Sequence, residues 1–260
     1  MYLPQLLKRA AEGEKLVALT CYDAGFARIL AAQGVDILLV GDSLGMTVQG
    51  HATTLPVTLD HMAYHTEAVA RGAADAAFIV ADLPFGSYQA SPQQAFAAAA
   101  RLMAAGANMV KLEGGGVMVE TVGFLSQRGI PVCAHLGLLP QSVNQTGYRA
   151  QARERQAAGQ LLEDAAALAA AGAQMLVLES IPAKLAAEVT ACLAIPTIGI
   201  GAGAACSGQV LVLQDLLGMT PRPPRFARDF MAGAGGIADA VAAYVRAVRD
   251  GSFPGAEHSF

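Results

Sequence analysis

The sequence predicts an α/β fold in which a parallel sheet closes into a (β/α)8 TIM barrel. Short apolar runs recur about eight times along the 260 residues, and most are followed by a stretch with helical periodicity. No linker or shift in composition divides the chain, so residues 1–260 are expected to form a single domain. Right-handed β-α-β crossovers make such strands parallel, and eight of them close a barrel at about 250 residues. A doubly wound open sheet is the alternative that the sequence leaves open.

The predicted strands are short, apolar and mostly without polar interruptions, which is typical of strands buried on both faces of a parallel sheet. In order they are 16–20, 37–40, 78–81, 109–112, 131–134, 175–178, 197–200 and 210–213. Residues 24–32, 60–71, 92–106, 117–127, 157–171 and 237–249 are the predicted helices. Ser91, Pro92 and Gln94 supply an N-cap, an N1 proline and an N3 glutamine, which together mark a helix start. The similar segments AAQGVDI, AAGANM and AAGAQM each place a glycine between a helix and the next strand.

Charge and cysteine content exclude several classes of function. The net charge is −4 and the chain contains no Lys/Arg cluster, which argues against a nucleic-acid or anionic-membrane partner. The 4 cysteines are scattered and form no CxxC pair, so we expect reduced thiols and a cytoplasmic location. Residues 1–14 lack the apolar core of a signal peptide. Residues 189–214 carry no charge, but glycines and a proline interrupt them, so we expect a buried strand and turn there rather than a membrane span.

Acidic residues stand at the carboxyl ends of several predicted strands. Asp42, Asp82 and Glu113 follow three consecutive strands, whose carboxyl ends gather on one face of the fold. Three carboxylates without a Cys or His partner favour a hard cation with oxygen ligands, so Mg²⁺ is expected rather than zinc. The alternative is that each acid caps a helix or pairs with a surface cation. Lys111 lies two residues before Glu113 and therefore points the same way, as a partner for the acids or an anchor for an anionic substrate.

The fifth and sixth strands end in residues that could take part in catalysis. His135 ends the fifth strand and can be an active-site histidine or a hydrogen-bonded structural one. Glu179 ends the sixth, where a carboxylate on an apolar strand beside a cation site could act as a general base. The alternative for Glu179 is a helix cap before Ile181 and Pro182.

Three further patterns have competing interpretations. Gly41-Asp42-Ser43-Leu44-Gly45 fits the G-x-S-x-G pattern of serine hydrolases, but 46–51 do not read as the helix that should follow. His61 and His65 are four apart on a helix but lack the glutamate of a zinc-binding H-E-x-x-H motif. The glycines of 198–203 could cradle a phosphate or allow tight packing at a barrel rim.

Longer stretches carry a resemblance to a known family. They are GDSLGMTVQGH, TLPVT, YHTEAV, ADLPF, GANMVKLEGG, PVCAHLGLLPQSVN, AGAQMLVLES, IPTIGIGAG and PGAEHSF. With these stretches the chain resembles the ketopantoate (3-methyl-2-oxobutanoate) hydroxymethyltransferase family over nearly its whole length. The resemblance implies a barrel of the phosphoenolpyruvate/pyruvate type, a Mg²⁺ requirement and a cytoplasmic homo-oligomer, commonly a decamer.

The resemblance also implies a reaction and a metal site. A one-carbon unit moves from 5,10-methylenetetrahydrofolate to 3-methyl-2-oxobutanoate through a Mg²⁺-stabilised enolate, giving ketopantoate for pantothenate and coenzyme A synthesis. Asp42 and Asp82 match the family's Mg²⁺ ligands and so also contact the chelated substrate, while Glu113 completes the metal site.

Four other residues receive roles through the same motifs. Ser43 and Lys111 match substrate contacts, His135 matches an active-site histidine in contact with substrate, and Glu179 matches the proton acceptor. The chain departs from the family after Asn144, where a shorter Gln-Thr-Gly-Tyr replaces a glycine-rich GGY pattern. This puts the conformation of the loop 145–156, and with it folate affinity, in question.

Two other functions remain open at this point besides the serine hydrolase. A Mg²⁺-dependent C–C lyase acting on another 2-oxo acid would use the same enolate chemistry without a pterin. A non-catalytic barrel serving as an assembly or sensor protein would leave the shared position of four strand-end acids unexplained.

Overall fold

A computed structural model describes residues 1–260 and contains the predicted closed parallel barrel of eight strands. Each strand pairs with the next along the chain, and β8 closes the barrel against β1. The strands are β1 (Leu16–Thr20), β2 (Ile37–Val40), β3 (Phe78–Asp82), β4 (Met109–Glu113), β5 (Val132–Gly137), β6 (Met175–Glu179), β7 (Thr197–Ile200) and β8 (Gly208–Leu211). The open-sheet alternative is therefore wrong.

Helices surround the barrel and follow most of the strands. They are α1 (Leu3–Ala11), α2 (Ala24–Ala32), α3 (Leu44–Thr47), α4 (Leu59–Ala73), α5 (Pro92–Ala104), α6 (Val119–Ser126), α7 (Val143–Thr146), α8 (Arg155–Ala171), α9 (Ala183–Cys192), α10 (Leu213–Leu216) and α11 (Ile237–Arg249). The predicted start of α5 is confirmed, because the Ser91 hydroxyl accepts a hydrogen bond from the Gln94 N–H at 3.1 Å. None of these helices combines the length and the hydrophobicity that a membrane span requires.

Alternation along the strands separates two apolar cores. In β1, Val17 and Leu19 point outward into the large core between sheet and helices, whereas Leu16 and Ala18 point into the barrel. The interior core also contains Leu6 of α1, which was not predicted as a helix. Helix α1 therefore closes the amino-terminal end of the barrel, and the carboxyl-terminal end is left to hold a site.

The boundaries of β5 and β8 differ most from the prediction, and a glycine lies at each of the changed positions, whereas β3, β4 and β6 each end one residue later than predicted. Strand β8 begins at Gly208 rather than at 210. A side chain at this position would lie 2.4 Å from the Leu16 carbonyl oxygen of the neighbouring strand, and glycine avoids the clash because it has none. Strand β5 runs past the predicted end at 134 to Gly137, where a side chain would lie 2.2 Å from the Glu179 carbonyl oxygen. Glycine disfavours strands by propensity, but here it permits backbones to approach closely.

A buried carboxylate ties the amino-terminal end of the barrel together. Asp36 is 2% exposed and pairs with Arg9 of α1 at 2.7 Å and Arg249 of α11 at 3.2 Å. Its other carboxylate oxygen accepts a hydrogen bond from the Val17 N–H at 2.9 Å. One side chain therefore connects the first helix, the first strand and the last long helix.

We expect Asp36→Asn to lower the free energy of unfolding by about 2 kcal/mol, because two arginines lose their buried counter-charge. A loss of that size lowers the melting temperature by about 4–8 °C in a chain of this length. Asp60→Asn is the matched control, because Asp60 pairs with Arg101 at the surface, where such a pair contributes little. Equal melting temperatures for the two variants would contradict the role given to Asp36.

Candidate active site

A cavity of about 860 Å³ opens at the carboxyl-terminal end of the barrel. Every residue that the sequence singled out for catalysis, substrate or metal lines it: Asp42, Ser43, Asp82, Lys111, Glu113, His135 and Glu179. The predicted convergence of the strand-end acids on one mouth is thus confirmed, whereas their chemical roles stay predictions.

The inward register of the strands explains why these side chains meet. Inward positions alternate, so Phe78 and Val80 of the interior core are followed on β3 by Asp82. The same alternation on β4 leads from Met109 to Lys111 and Glu113. His135 on β5 and Glu179 on β6 follow the interior residues of their strands in the same way. The apolar residues fill the barrel below, and the polar ones form the base of the cavity.

Asp42 reaches the cavity from the loop after β2 because Gly41 leaves room. Gly41 occupies the next inward position after Leu39, and a side chain there would lie 2.8 Å from the Ser43 hydroxyl oxygen. It would also lie 3.5 Å from Oδ2 of Asp82, which accepts a hydrogen bond from the Asp42 N–H at 3.1 Å. The glycine therefore allows the two aspartates to be neighbours.

Lys111 is the cation at the centre of the acids. Its Nζ lies 2.8 Å from Asp82 Oδ1 and 3.9 Å from Glu113 Oε1, and the side chain is 5% exposed. Burial lowers the pKa of Lys111, but Asp82, Glu113 and Asp42 outweigh it, and the net shift is upward. A buried, permanently charged lysine fits the predicted partner for the acids.

His135 bridges two carboxylates. Its Nδ1 lies 3.6 Å from Glu113 Oε1 and its Nε2 lies 3.3 Å from Glu179 Oε2, and both ring nitrogens lack a partner with hydrogen-bond geometry. Burial and the Lys111 charge lower the pKa of His135, but Glu113 and Glu179 outweigh them and raise it to about 9. The two carboxylates therefore favour the charged form of the imidazole, which lies beside Glu179.

The backbone directly after Glu179 is held in an unusual conformation. Ser180 has φ of 49°, in the left-handed region that non-glycine residues rarely adopt. Its N–H donates to the Ile200 carbonyl at 2.8 Å, and its own carbonyl accepts from the Gln151 N–H at 2.9 Å. Such conformations cost about 1–3 kcal/mol and cluster at functional sites. The Glu179 side chain makes no cap to α9, so the capping interpretation is wrong.

Sequence reasoning missed Gln141, which connects the acids. Its Nε2 donates to Asp42 Oδ2 and to the Leu83 carbonyl, both at 2.9 Å. Its Oε1 accepts from the Tyr88 hydroxyl at 2.7 Å, and its backbone N–H donates to Glu113 Oε2 at 3.0 Å. Gln141 is distant in sequence from all of these residues, and the only signal for it was its place inside a stretch that resembles the family.

Replacing Gln141 by Glu should lower kcat/KM about 10- to 100-fold, because the new side chain cannot donate to Asp42 and adds a negative charge beside it. The matched control is Gln89→Ala, which removes a 3.1 Å hydrogen bond to Gln141 Oε1 and leaves the bonds from Nε2 in place. Kinetics with melting curves for both variants test this, and wild-type kcat/KM in Gln141→Glu would show that Asp42 needs no such support.

The serine hydrolase interpretation finds no support in the geometry around Ser43. The Ser43 hydroxyl lies 2.8 Å from the Tyr22 hydroxyl rather than beside a histidine, and its backbone is ordinary right-handed helix at φ −53° and ψ −18°. As expected, no full helix follows, because α3 has only 4 residues and ends at Thr47. A nucleophile elbow needs a strained turn into a full helix with a neighbouring base.

The glycine-rich stretch 198–203 and the pair of histidines on α4 both have structural explanations. A side chain at Gly201 would lie 3.0 Å from the rings of Phe226 and Phe260, and one at Gly203 would lie 2.6 Å from the Ala183 side chain. His61 caps its own helix through Thr58, and His65 Nδ1 lies 2.6 Å from the Tyr22 carbonyl oxygen.

The base of the cavity suits a hard cation in charge and ligand type. Four carboxyl groups face two basic side chains there, and no thiol is present among them. Burial, followed by the charges of Asp82 and Glu113, raises the pKa of Asp42 well above its ordinary value. A cation would relieve this repulsion, and carboxylate oxygens are the ligands that Mg²⁺ prefers.

The side chains as placed do not form a cluster of three metal ligands. Asp42 and Asp82 are adjacent, but Asp82 Oδ1 is paired with Lys111, Asp82 Oδ2 accepts from the Asp42 N–H, and a Glu113 oxygen accepts from the Gln141 N–H. The donor types fit a divalent cation, and the metal-binding roles of Asp42, Asp82 and Glu113 all stay predictions.

The loop whose conformation was in question forms part of the cavity wall. Helix α7 ends at Thr146 with Gly147 as its C-cap, and Tyr148, Arg149 and Ala150 line the cavity. The Tyr148 hydroxyl lies 3.6 Å from the Met46 sulfur. Burial, followed by Asp42, Glu179 and Glu113, raises the pKa of Tyr148.

A closed parallel barrel with a polar cavity at the carboxyl ends of its strands defines the class, namely the (β/α)8-barrel enzymes. A model of the ketopantoate hydroxymethyltransferase family matches residues 1–256. The chain belongs to the ketopantoate hydroxymethyltransferase family.

Curated relatives and solved structures agree with this assignment. The 3-methyl-2-oxobutanoate hydroxymethyltransferase of Thiobacillus denitrificans is 68% identical over 250 residues, covering 96% of this chain and 95% of the relative. That of Nitrosospira multiformis is 62% identical over 255 residues, covering 97% of each. A crystal structure of phosphonopyruvate hydrolase with oxalate and Mg²⁺ superimposes with a TM-score of 0.62 at 12% identity, covering 82% of this chain and 81% of the other. The last likeness concerns the fold alone.

Proposed function

We propose that the chain transfers a hydroxymethyl group from 5,10-methylenetetrahydrofolate to 3-methyl-2-oxobutanoate, giving ketopantoate for pantothenate and coenzyme A synthesis. Relatives of more than 60% identity named for this activity support the keto acid substrate. The observation that carries the proposal is the cavity base itself, where Asp42, Asp82, Lys111, His135 and Glu179 line one cavity.

Mg²⁺ is the proposed cofactor, held by Asp42 and Asp82 with Glu113 completing the site. When bound, it acts as a Lewis acid that draws charge from the keto group. The excess of carboxyl groups over basic groups supports this, as does the oxygen-only donor set. Phosphonopyruvate hydrolase, which has a similar fold, was crystallised with Mg²⁺ and oxalate, a small dicarboxylate.

Glu179 is the proposed general base. Its carboxylate lies 3.3 Å from His135 Nε2, so a basic side chain lies beside it. Glu179 takes the proton from the carbon next to the keto group, and the resulting enolate forms the new C–C bond to the one-carbon unit. The two C–N bonds that joined this unit to the folate break, water supplies the hydroxyl oxygen and the protons that the two nitrogens take up, and tetrahydrofolate leaves. Lys111 and Ser43 bind the substrate in this scheme, with Lys111 held in place by Asp82.

A transfer assay tests the proposal. The enzyme should form ketopantoate only when 5,10-methylenetetrahydrofolate, 3-methyl-2-oxobutanoate and Mg²⁺ are all present. Turnover of a 2-oxo acid without any pterin would instead favour the C–C lyase.

A cytoplasmic location and a homo-oligomeric state are also part of the proposal. All 4 cysteines are free thiols and 3 of them are buried, which suits a reducing compartment. Mass photometry of the purified chain would distinguish the decamer implied by the family resemblance from smaller assemblies.

A further inference from the structure

The cavity is much larger than a small branched keto acid requires. Its volume of about 860 Å³ lies in the range of about 300–1,000 Å³ that encloses drug-sized ligands. Its base carries the buried acids, whereas exposed arginines stand at its mouth: Arg149, Arg222 and Arg225. The two ends of one cavity therefore have opposite charge.

An aromatic wall lies beside these arginines. Phe226 is half-buried and Phe260 is 37% exposed, and both line the cavity. Their rings pack over Gly201, so this part of the wall depends on the absence of a side chain there. The Arg225 guanidinium lies 5.4 Å from the centre of the Phe260 ring. The wall thus offers apolar ring faces next to positive charge.

Hydrogen bonds hold residues 257–260 in this position. The Ala183 N–H donates to the Phe260 carbonyl oxygen at 2.9 Å. Arg225 Nε donates to the Glu257 carbonyl at 3.0 Å and so joins the segment before α11 to the tail. The closing PGAEHSF stretch, to which the proposed chemistry gives no role, therefore builds part of the cavity mouth.

We infer that Arg149, Arg222 and Arg225 bind the glutamate carboxylates of the pterin co-substrate, and that Phe226 and Phe260 contact its planar benzoyl ring. This inference rests on the proposed function. Guanidinium groups bind carboxylates through paired, charge-assisted hydrogen bonds, and aromatic rings pack on apolar ring faces.

The charge distribution fixes the orientation of the co-substrate. A glutamate tail placed at the base would face Asp42, Asp82, Glu113 and Glu179, and like charges repel. Asp215, another acid of the cavity, is engaged by the Thr220 hydroxyl at 2.5 Å. A tail at the mouth avoids this repulsion and leaves the pterin end of the co-substrate facing the base of the cavity, where the keto acid is proposed to bind.

The experiment compares Arg222→Gln and Arg149→Gln with the control Arg228→Gln. Arg228 is an exposed arginine of the same segment as Arg222 but does not line the cavity, and it stacks on Phe230 at 4.7 Å. Each variant is assayed for transfer with mono- and triglutamyl 5,10-methylenetetrahydrofolate, and for C3 deuterium exchange of the keto acid without folate.

For Arg222→Gln and Arg149→Gln we expect KM for the folate to rise about 5- to 20-fold, with a smaller preference for the triglutamyl form. KM for the keto acid and the exchange rate should match the control. Variants whose folate KM equals that of Arg228→Gln, in an enzyme that does use folate, would overturn the inference alone. A wild-type enzyme that exchanges deuterium but transfers nothing from the folate would overturn the proposed function with it.

Discussion

Glu179→Gln should slow turnover by about 10²- to 10⁴-fold, equivalent to about 3–5 kcal/mol of activation free energy. The substitution keeps the size and shape of the side chain but removes the oxygen that would accept the substrate proton. Glu179 lies at the carboxyl end of β6 and points into the cavity, and its carboxylate lies 3.3 Å from His135 Nε2. Mg²⁺-dependent binding of the keto acid should persist, because Asp42 and Asp82 are unchanged.

Glu188→Gln is the matched control, since Glu188 is an exposed residue of α9, the helix that follows β6. Steady-state kinetics and calorimetric titration of the keto acid separate loss of chemistry from loss of binding. Turnover within a few-fold of wild type would remove Glu179 from the mechanism, and loss of keto acid binding would show that it serves the substrate rather than the proton.

Asp42→Asn should abolish the Mg²⁺ dependence of keto acid binding, with affinity in Mg²⁺ reduced by at least about 100-fold. Mutating a residue that only supports a metal ligand typically lowers metal affinity by about 10- to 100-fold. Mutating a residue that is itself a proposed ligand should therefore have a larger effect. The amide can still accept the hydrogen bond from Gln141 Nε2, and the local packing is therefore retained. Titration of the keto acid in Mg²⁺ and in EDTA measures the effect.

The same substitution should stabilise the protein in EDTA. The pKa of Asp42 is raised by burial and then by Asp82 and Glu113, so the folded state holds its proton more tightly than the unfolded state. Stability is then lost as pH rises above the ordinary pKa of an aspartate, up to the raised value. The neutral asparagine avoids this loss, and its melting temperature in EDTA at pH 7–8 should exceed that of wild type.

Asp215→Asn serves as the control for Asp42→Asn, because Asp215 lines the same cavity but is engaged by Thr220. Wild-type affinity for the keto acid in Asp42→Asn with Mg²⁺ would argue against chelation at this aspartate. A lower melting temperature in EDTA would argue against repulsion among the acids.

Local patterns in the sequence were enough to predict the barrel and the residues at the base of its cavity. Each strand is a short apolar run, and period-two alternation carries directly from core residues such as Met109 to Lys111 and Glu113. Because the carboxyl ends of parallel strands share one face, acids after successive strands had to meet. The proposed cofactor and the proposed role of Glu179 rest on chemistry and family resemblance rather than on pattern.

Features that depend on distant contacts could not be predicted. Gln141 acquires its place through partners far away in sequence, among them Asp42 and Tyr88. Glycine has a low strand propensity, yet Gly208 is part of β8 because the nearby β1 backbone leaves no room for a side chain. The arginines and phenylalanines of the mouth lie in irregular segments without periodicity, and only the folded chain brings Phe260 beside Arg225.

Deuterium exchange at C3 of 3-methyl-2-oxobutanoate, followed by NMR in D₂O without folate, tests the central claim most directly. The proposed site predicts that the enzyme catalyses this exchange in Mg²⁺, that EDTA stops it, and that Asp42→Asn and Glu179→Gln both lack it. Exchange at the same rate in EDTA, or in either variant, would contradict the account of carboxylates that hold a cation and a base beside one keto acid.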